Sequence, residues 1–276
     1  MIASTALSTR LGVTQSAVSQ RIKALEERLG TTLVRRTRPA TDTGARLVRH
    51  AEDIGLRDRR LAADLASLLP APDTALRIAV TADSLATWVI PVLAAVPGLL
   101  FNLVIDDQDH SADLLRQGAV AAAVTVAGGP VPGCDAHALG ALRYRAVCAP
   151  DSHARWFADG VTATSLAPAP ALTFNGKDRL QQQWAAQVTG DRPRLRTHHV
   201  PDTNAITAAA VAGLGWGLNP TLLVDPLIAA GQLVELQPGA TRDTALTWQV
   251  PRQHRATLAD LTRTIRYAAR RALLPA

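Results

Sequence analysis

Between Arg77 and Arg116 the chain carries no Lys or Arg, yet it holds five aspartates: Asp83, Asp106, Asp107, Asp109 and Asp113. Carboxylates gathered in a crevice favour a cation and reject an anion. The same residue type at a helix start serves as an N-cap. For Asp83 and Asp109 both readings stay open, and the two are compatible. A second polar set lies in "VTQSAVSQRIKALEERLG", residues 13 to 30. There Gln15, Ser16, Ser19 and Gln20 could exchange hydrogen bonds with base edges, while Arg21 and Lys23 could neutralise phosphate. An ordinary solvated helix face would carry the same residue types, so what surrounds the helix must decide.

Other reactive residues point nowhere. No G-x-S-x-G elbow and no P-loop appears, so no catalytic residue is assigned and an enzyme is not expected. His198 and His199 are adjacent in a predicted strand and would face opposite sides, which disfavours a shared metal. No cofactor or metal site is expected. Cys134 and Cys148 do not make a disulfide framework. Buried thiols in a reducing, cytoplasmic setting are the expectation, with a redox pair as the alternative. No apolar run reaches the roughly 18 residues of a membrane span, and the N-terminus lacks a secretory layout.

These residues need elements to hold them. Hydrophobic residues make up 47% of the 276, enough for a sizeable core. The net charge of +6 is unevenly placed: residues 1 to 60 hold twelve Lys/Arg against six acids, and the remainder balances at 17 of each. A basic excess confined to one module suits a polyanion, because each neutralised phosphate releases counterions. A short helix is predicted over residues 4 to 11, ended by Gly12. Thr14 caps a second helix that runs to about Leu29, with Val18, Ile22, Leu25 and Leu29 as one buried stripe. "TTLVRRTRPATDTG" reads as a hairpin wing. Helix, turn, helix and wing make a winged helix-turn-helix. Leu47, Ile54, Leu61 and Leu68 then recur every seven residues, a coiled-coil seam on a linker helix. After "PAPD", strands and helices alternate in two series. The first has strands "ALRIAV", "FNLVID", "AVAAAVTV" and "YRAVCAP", with helices "DSLATWVIPVLAAV" and "SADLLRQG". The second starts at "ALTF", with helices from Asp178, Thr203 and Thr221, and "ALTWQV" returns to the first. That is an α/β arrangement of two lobes around a cleft.

"LGVTQSAVSQRIKALEERLGTTLVRR" resembles the helix-turn-helix signature of LysR-type transcriptional regulators, and the wing, linker helix and two-lobed effector domain follow in that family's order. "ADSLATW", "DDQDH", "PGCDAHALGALRYRAV" and "GLGWGLNP" resemble the LysG/ArgP subgroup, which regulates lysine and arginine exporters. The resemblance implies a periplasmic-binding-protein-like effector domain. It implies homodimers or homotetramers on promoter DNA, and RNA polymerase as a further partner. Residues 1–42 would be the DNA-binding domain, 43–69 the linker, and 74–276 the effector domain. Lobe I would take about 74–148 and 245–276, and lobe II about 149–244. Carried over by motif, Thr14, Gln15, Ser16, Ser19, Gln20, Arg21 and Lys23 would lie at DNA, with Arg36 and Arg38 of the wing at the backbone.

Asp83 and Ser84 follow the first strand, and Asp107, Asp109 and His110 follow the second. Strand ends of that kind converge on the ligand crevice. Helix N-termini near Ser84 and at Thr203–Asn204 could hold an α-carboxylate through backbone N–H groups. Together they describe a basic amino acid: lysine first, then arginine, then histidine. The alternatives are a regulator of another pathway with a different effector, or a shortened one with weakened DNA binding. LysR-type regulators carry one more helix before the residue 4 helix. With "MIASTALSTRLG" at the start, either the true start lies upstream or the module is shortened and marginal.

Overall fold

The computed structural model describes residues 15–34, 40–64, 75–105, 111–126 and 129–275. The helix over residues 4 to 11, the Thr14 cap, Arg36 and Arg38 of the wing, and Asp106, Asp107, Asp109 and His110 lie outside the described residues. The chain divides into two compact units, 1–76 and 77–276.

In the first unit, helix α1 spans Gln15–Leu29 and α2 spans Asp42–Asp64. The stripe expected to be buried on α1 is only partly covered: Leu25 is 39% and Leu29 47% exposed. The turn after α1 is fixed by side chains. Glu26 Oε1 accepts the N–H groups of Leu33 at 2.7 Å and Val34 at 3.1 Å. Thr41 Oγ1 donates to the Thr32 carbonyl at 2.7 Å and accepts the Gly44 N–H at 3.1 Å, capping α2. Residue 44 must be glycine, since a Cβ there would lie 2.1 Å from the Leu33 carbonyl oxygen. On α2, Ile54 is 45% exposed; Leu68 lies outside the described residues.

Strand β1 (Ala75–Val80) leads into the second unit. Helix α3 follows in three pieces: Ala82–Ser84, a π-helical turn Leu85–Val89, and Ile90–Ala94. The sequence predicts one regular helix there, so the π turn is a difference. Trp88, Val89, Val92 and Leu93 of this helix are buried. Next come β2 (Leu100–Ile105), α4 (Ser111–Arg116) and β3 (Ala122–Val126). Strand β4 is Cys134–Cys148, much longer than the "YRAVCAP" stretch. Its early half hid because Gly140 breaks the alternation: the register against its neighbour shifts between Ala138 and Gly140.

The second lobe holds α5 (Pro150–Trp156), α6 (Ala163–Leu166), β5 (Pro170–Thr173), α7 (Leu180–Thr189), β6 (Arg196–His199), α8 (Thr203–Val211), β7 (Gly217–Pro220), α9 (Thr221–Ala229) and β8 (Val234–Glu235). Strand β9 (Arg242–Pro251) returns to the first lobe, and α10 (Ala259–Ala272) packs there through Leu261, Ile265 and Ala269. The main sheet runs β2-β1-β3-β9-β4-β7, with β8 also on β4, while β5 and β6 form a parallel pair. β1 and β3 are parallel, and β9 is antiparallel to β3 and β4. β4 pairs along its first part with β9 and along its last part with β7 and β8. The long strands β4 and β9 therefore tie the lobes together. Each lobe has its own core: Ala79, Leu115, Val120 and Ala123 in the first, Val147, Leu172, Ile206 and Val224 in the second. This is the α/β, two-lobed, periplasmic-binding-protein-like arrangement. Among the described residues, no helix is long and apolar enough to cross a membrane.

Candidate ligand-binding site

A cleft of about 430 Å³ lies where the lobes face each other, within the range of small-molecule sites. The first lobe lines it with Ala82, Leu85, Ala86, Thr87, Ile90 and Ile105. The second contributes Phe174, Pro201, Asp202, Thr203 and Asn204. Among the described residues that line it there is no Lys or Arg, and the ionisable one is Asp202. Ile105 is the last described residue before the Asp106–His110 segment.

The turn from β1 into α3 sets the geometry. Thr81, at φ −71° and ψ 147°, is the N-cap: its Oγ1 accepts the Ser84 N–H at 3.2 Å and donates to Ser84 Oγ at 2.8 Å. This corrects two expectations. Asp83 is not the cap, and the Ser84 N–H is already engaged, so buried Ser84 does not present it to an α-carboxylate. Thr81 serves better because its short hydroxyl reaches N3 from an extended residue. The carboxylate of Asp83 is thereby left to face elsewhere. The π turn follows at once, and Thr87 Oγ1 donates to the Asp83 carbonyl at 2.6 Å across it. Such turns recur where a helix must aim a functional group.

Asp83 lies between the lining residues Ala82 and Thr203 and draws together three parts of the fold. Tyr144 of β4 donates its phenol to Asp83 Oδ2 at 2.6 Å. Thr203, first residue of α8 in the second lobe, donates to Oδ1 at 2.7 Å. Burial pushes the Asp83 carboxyl above its usual range; the Tyr144 and Thr203 hydroxyls pull it back, and the negative charge of Asp178 pushes it up again. The Tyr144 phenol is driven well above its ordinary value by burial and then by the Asp83 charge. Asp178 holds the 174–180 loop, accepting the N–H of Phe174 at 3.1 Å and of Leu180 at 2.9 Å. Asp202 caps α8, accepting the Ala205 N–H at 2.7 Å.

Of the residues singled out by sequence, Thr203 and Asn204 line the cleft, and Asp83 is bonded to Thr203 beside it. It withdraws Ser84 into the core. Tyr144, Asp178 and Asp202 went unnoticed. Tyr144 was within reach of sequence reasoning: in "RYR" the arginines take one face of a strand and leave the tyrosine on the other. No group of three or more His, Cys, Asp or Glu that could hold a metal ion occurs among the described residues. Cys148 is buried, its thiol pushed up to about 12, so it is not a reactive thiolate. His198 and His199 are both exposed on β6, and His199 Nδ1 pairs with Thr173 Oγ1 at 3.0 Å.

On α1, at the other end of the chain, Ser19, Gln20, Arg21 and Lys23 are all exposed. Lys23 sits 3.9 Å from Glu27 one turn on. The backbone of Gln15 and Ser16 forms the first turn of that helix.

Comparisons with known proteins agree with this layout. Residues 5–45 match the model of bacterial regulatory helix-turn-helix proteins of the lysR family, and residues 71–270 match the LysR substrate binding domain. The chain is 41% identical over 266 residues to the HTH-type transcriptional regulator LysG of Mycobacterium tuberculosis, covering 96% of this chain and 88% of that protein. It is 39% identical over 272 residues to the lysine export transcriptional regulatory protein LysG of Corynebacterium efficiens, with 96% and 92% covered. Full-length LysG of Corynebacterium glutamicum, solved with bound effector Arg, superposes with a TM-score of 0.69 at 36% identity, covering 97% of this chain and 93% of that one. With both family models matched in order and relatives this similar along nearly the whole chain, the protein belongs to the LysR family of helix-turn-helix transcriptional regulators.

Proposed function

We propose that the chain is a cytoplasmic, DNA-binding regulator whose action on a promoter responds to a basic amino acid, arginine or lysine, and that it governs an amino-acid exporter gene. The observation that carries the effector is Asp83: a carboxyl pushed above its usual range by burial, beside a cleft whose described lining residues include no Lys or Arg. A cationic side chain there supplies the counter-charge that the site lacks, whereas an anion meets Asp83, Asp178 and Asp202. The solved relative that holds arginine, and the relatives named for lysine export, support the same chemistry. The first turn of α8, at Thr203 and Asn204, offers backbone N–H groups for the α-carboxylate. Asp107, Asp109 and His110 would complete the acidic side.

Residues 1–42 serve as the DNA-binding domain, 43–69 as the dimerising linker and 74–276 as the effector domain. Gln15, Ser16, Ser19 and Gln20 read base edges. Thr14, Arg21, Lys23, Arg36 and Arg38 hold phosphates. Calorimetry on the full chain tests the effector: arginine or lysine should bind and raise the thermal midpoint, and glutamate should do neither. Absence of heat and of stabilisation with every basic amino acid would refute it.

A further inference from the structure

We propose that Thr203 sets effector affinity as a built-in competitor: its hydroxyl holds the Asp83 oxygen that the cationic group of the amino acid takes on binding. The proposal rests on reading the cleft as a basic amino-acid site. A buried carboxylate must be satisfied by donors, and here two hydroxyls do it, one on each oxygen. They are not equivalent. Both are nearly closed off, Tyr144 at 3% and Thr203 at 4% exposed, but Tyr144 is fixed in the long strand β4 and is not among the residues lining the cleft. Thr203 lines the cleft and comes from the opposite lobe; a single χ1 rotation would turn its hydroxyl away.

Bonds from a charged donor to a carboxylate are about twice as strong as those from a neutral one. Replacing the Thr203 hydroxyl by an ammonium or guanidinium is therefore downhill, and the bond surrendered lowers the observed affinity. The Asp83–Thr203 contact also joins the lobes. Its exchange for a ligand contact converts occupancy of the cleft into a change in what holds α8 to the start of α3. Asp178, whose oxygens are engaged by the Phe174 and Leu180 amides, does not share in the exchange.

The sign of one mutation separates this from the ordinary alternative that Thr203 is a ligand contact. Thr203→Val keeps the shape and deletes the donor. On the full chain, calorimetry with arginine should show about two- to ten-fold tighter binding, the inverse of one neutral hydrogen bond's net worth. Thr203→Ser, which keeps the hydroxyl, should bind like the parent. Unchanged or weaker binding by Thr203→Val overturns the proposal. If that variant does not fold, the parent protein crystallised with arginine decides: an Asp83–Thr203 separation beyond hydrogen-bond reach supports exchange, and a retained bond overturns it. Failure of the parent to bind either arginine or lysine is a different result, and it removes the effector reading itself.

Discussion

Asp83→Asn should weaken arginine binding while leaving the protein at least as stable, a pairing of signs that few substitutions give. Asn keeps the outline of the side chain. Its carbonyl still accepts one of the two hydroxyls now 2.6 and 2.7 Å away, and the other hydroxyl can turn to accept from the amide. What is lost is the charge. A hydrogen bond to a charged partner is worth about 1.5–3 kcal/mol net, so the dissociation constant for arginine should rise about ten- to 150-fold. Point-charge attraction at an intermediate dielectric would give about 4 kcal/mol, but the desolvation of both ions offsets part of it. Citrulline, the neutral isostere of arginine, should bind the two proteins alike, so discrimination between the two ligands should collapse.

The stability side follows from the raised Asp83 carboxyl. The folded state holds that proton more tightly than the unfolded chain, whose value is about 3.9. The ionised form therefore costs stability above the folded value, and the cost fades as pH falls through it. Removing the charge removes the cost, so the midpoint of Asp83→Asn at pH 7 should not fall below the parent's. Asp135 and Asp243, held low by Arg255 and Arg143, act in the opposite direction. Comparing the two proteins cancels them. For the ligand the sign is reversed: a bound cation favours ionised Asp83, so binding releases a proton. Parent affinity should be greatest above the raised value and decline as pH drops through it, while the variant stays flat across that window. Calorimetry from pH 7 downward reads both. Equal arginine affinity in the two proteins, or equal loss of arginine and citrulline, would refute the reasoning.

Gly140→Ala should destabilise the effector domain by about 3 kcal/mol, because φ is +119° and the new Cβ would fall 2.2 Å from the Leu274 carbonyl oxygen; a midpoint within a degree of the parent's would contradict that. Ser19→Ala should cut discrimination between promoter and random DNA by about 1–3 kcal/mol if its hydroxyl reads a base; equal loss on both DNAs, read by anisotropy, would exclude base reading. Ile54→Asp should lower the scattering mass, since this exposed seam residue needs a partner helix; an unchanged mass would assign assembly to the effector domains.

The family was legible because helix-turn-helix spacing and charge segregation are local properties of a sequence. The lobes were legible from alternating strands and helices. The site was half legible. The aspartate-only stretch marked Asp83, but local reasoning left it open between cap and ligand contact, and nothing in "TADS" says that Thr81 takes the cap. Thr203 was found as a helix start, not as a donor to a residue 120 positions away. Asp178 reads as the start of a helix until the fold brings its charge toward Asp83. The length of β4 was concealed by Gly140, whose positive φ interrupts the period that pattern reading relies on. Contacts across sequence distance are set by tertiary packing, which no local period encodes.

The central claim is that occupancy of this cleft by a basic amino acid changes how the chain engages promoter DNA. Its most direct test is fluorescence anisotropy of the full-length protein on the DNA upstream of its own gene, titrated in parallel with arginine, lysine and glutamate. The account predicts salt-sensitive binding whose affinity or amplitude shifts with arginine or lysine, not with glutamate, and at higher arginine concentration for Asp83→Asn. Binding that ignores all three amino acids, or that shifts with glutamate as it does with arginine, would contradict it.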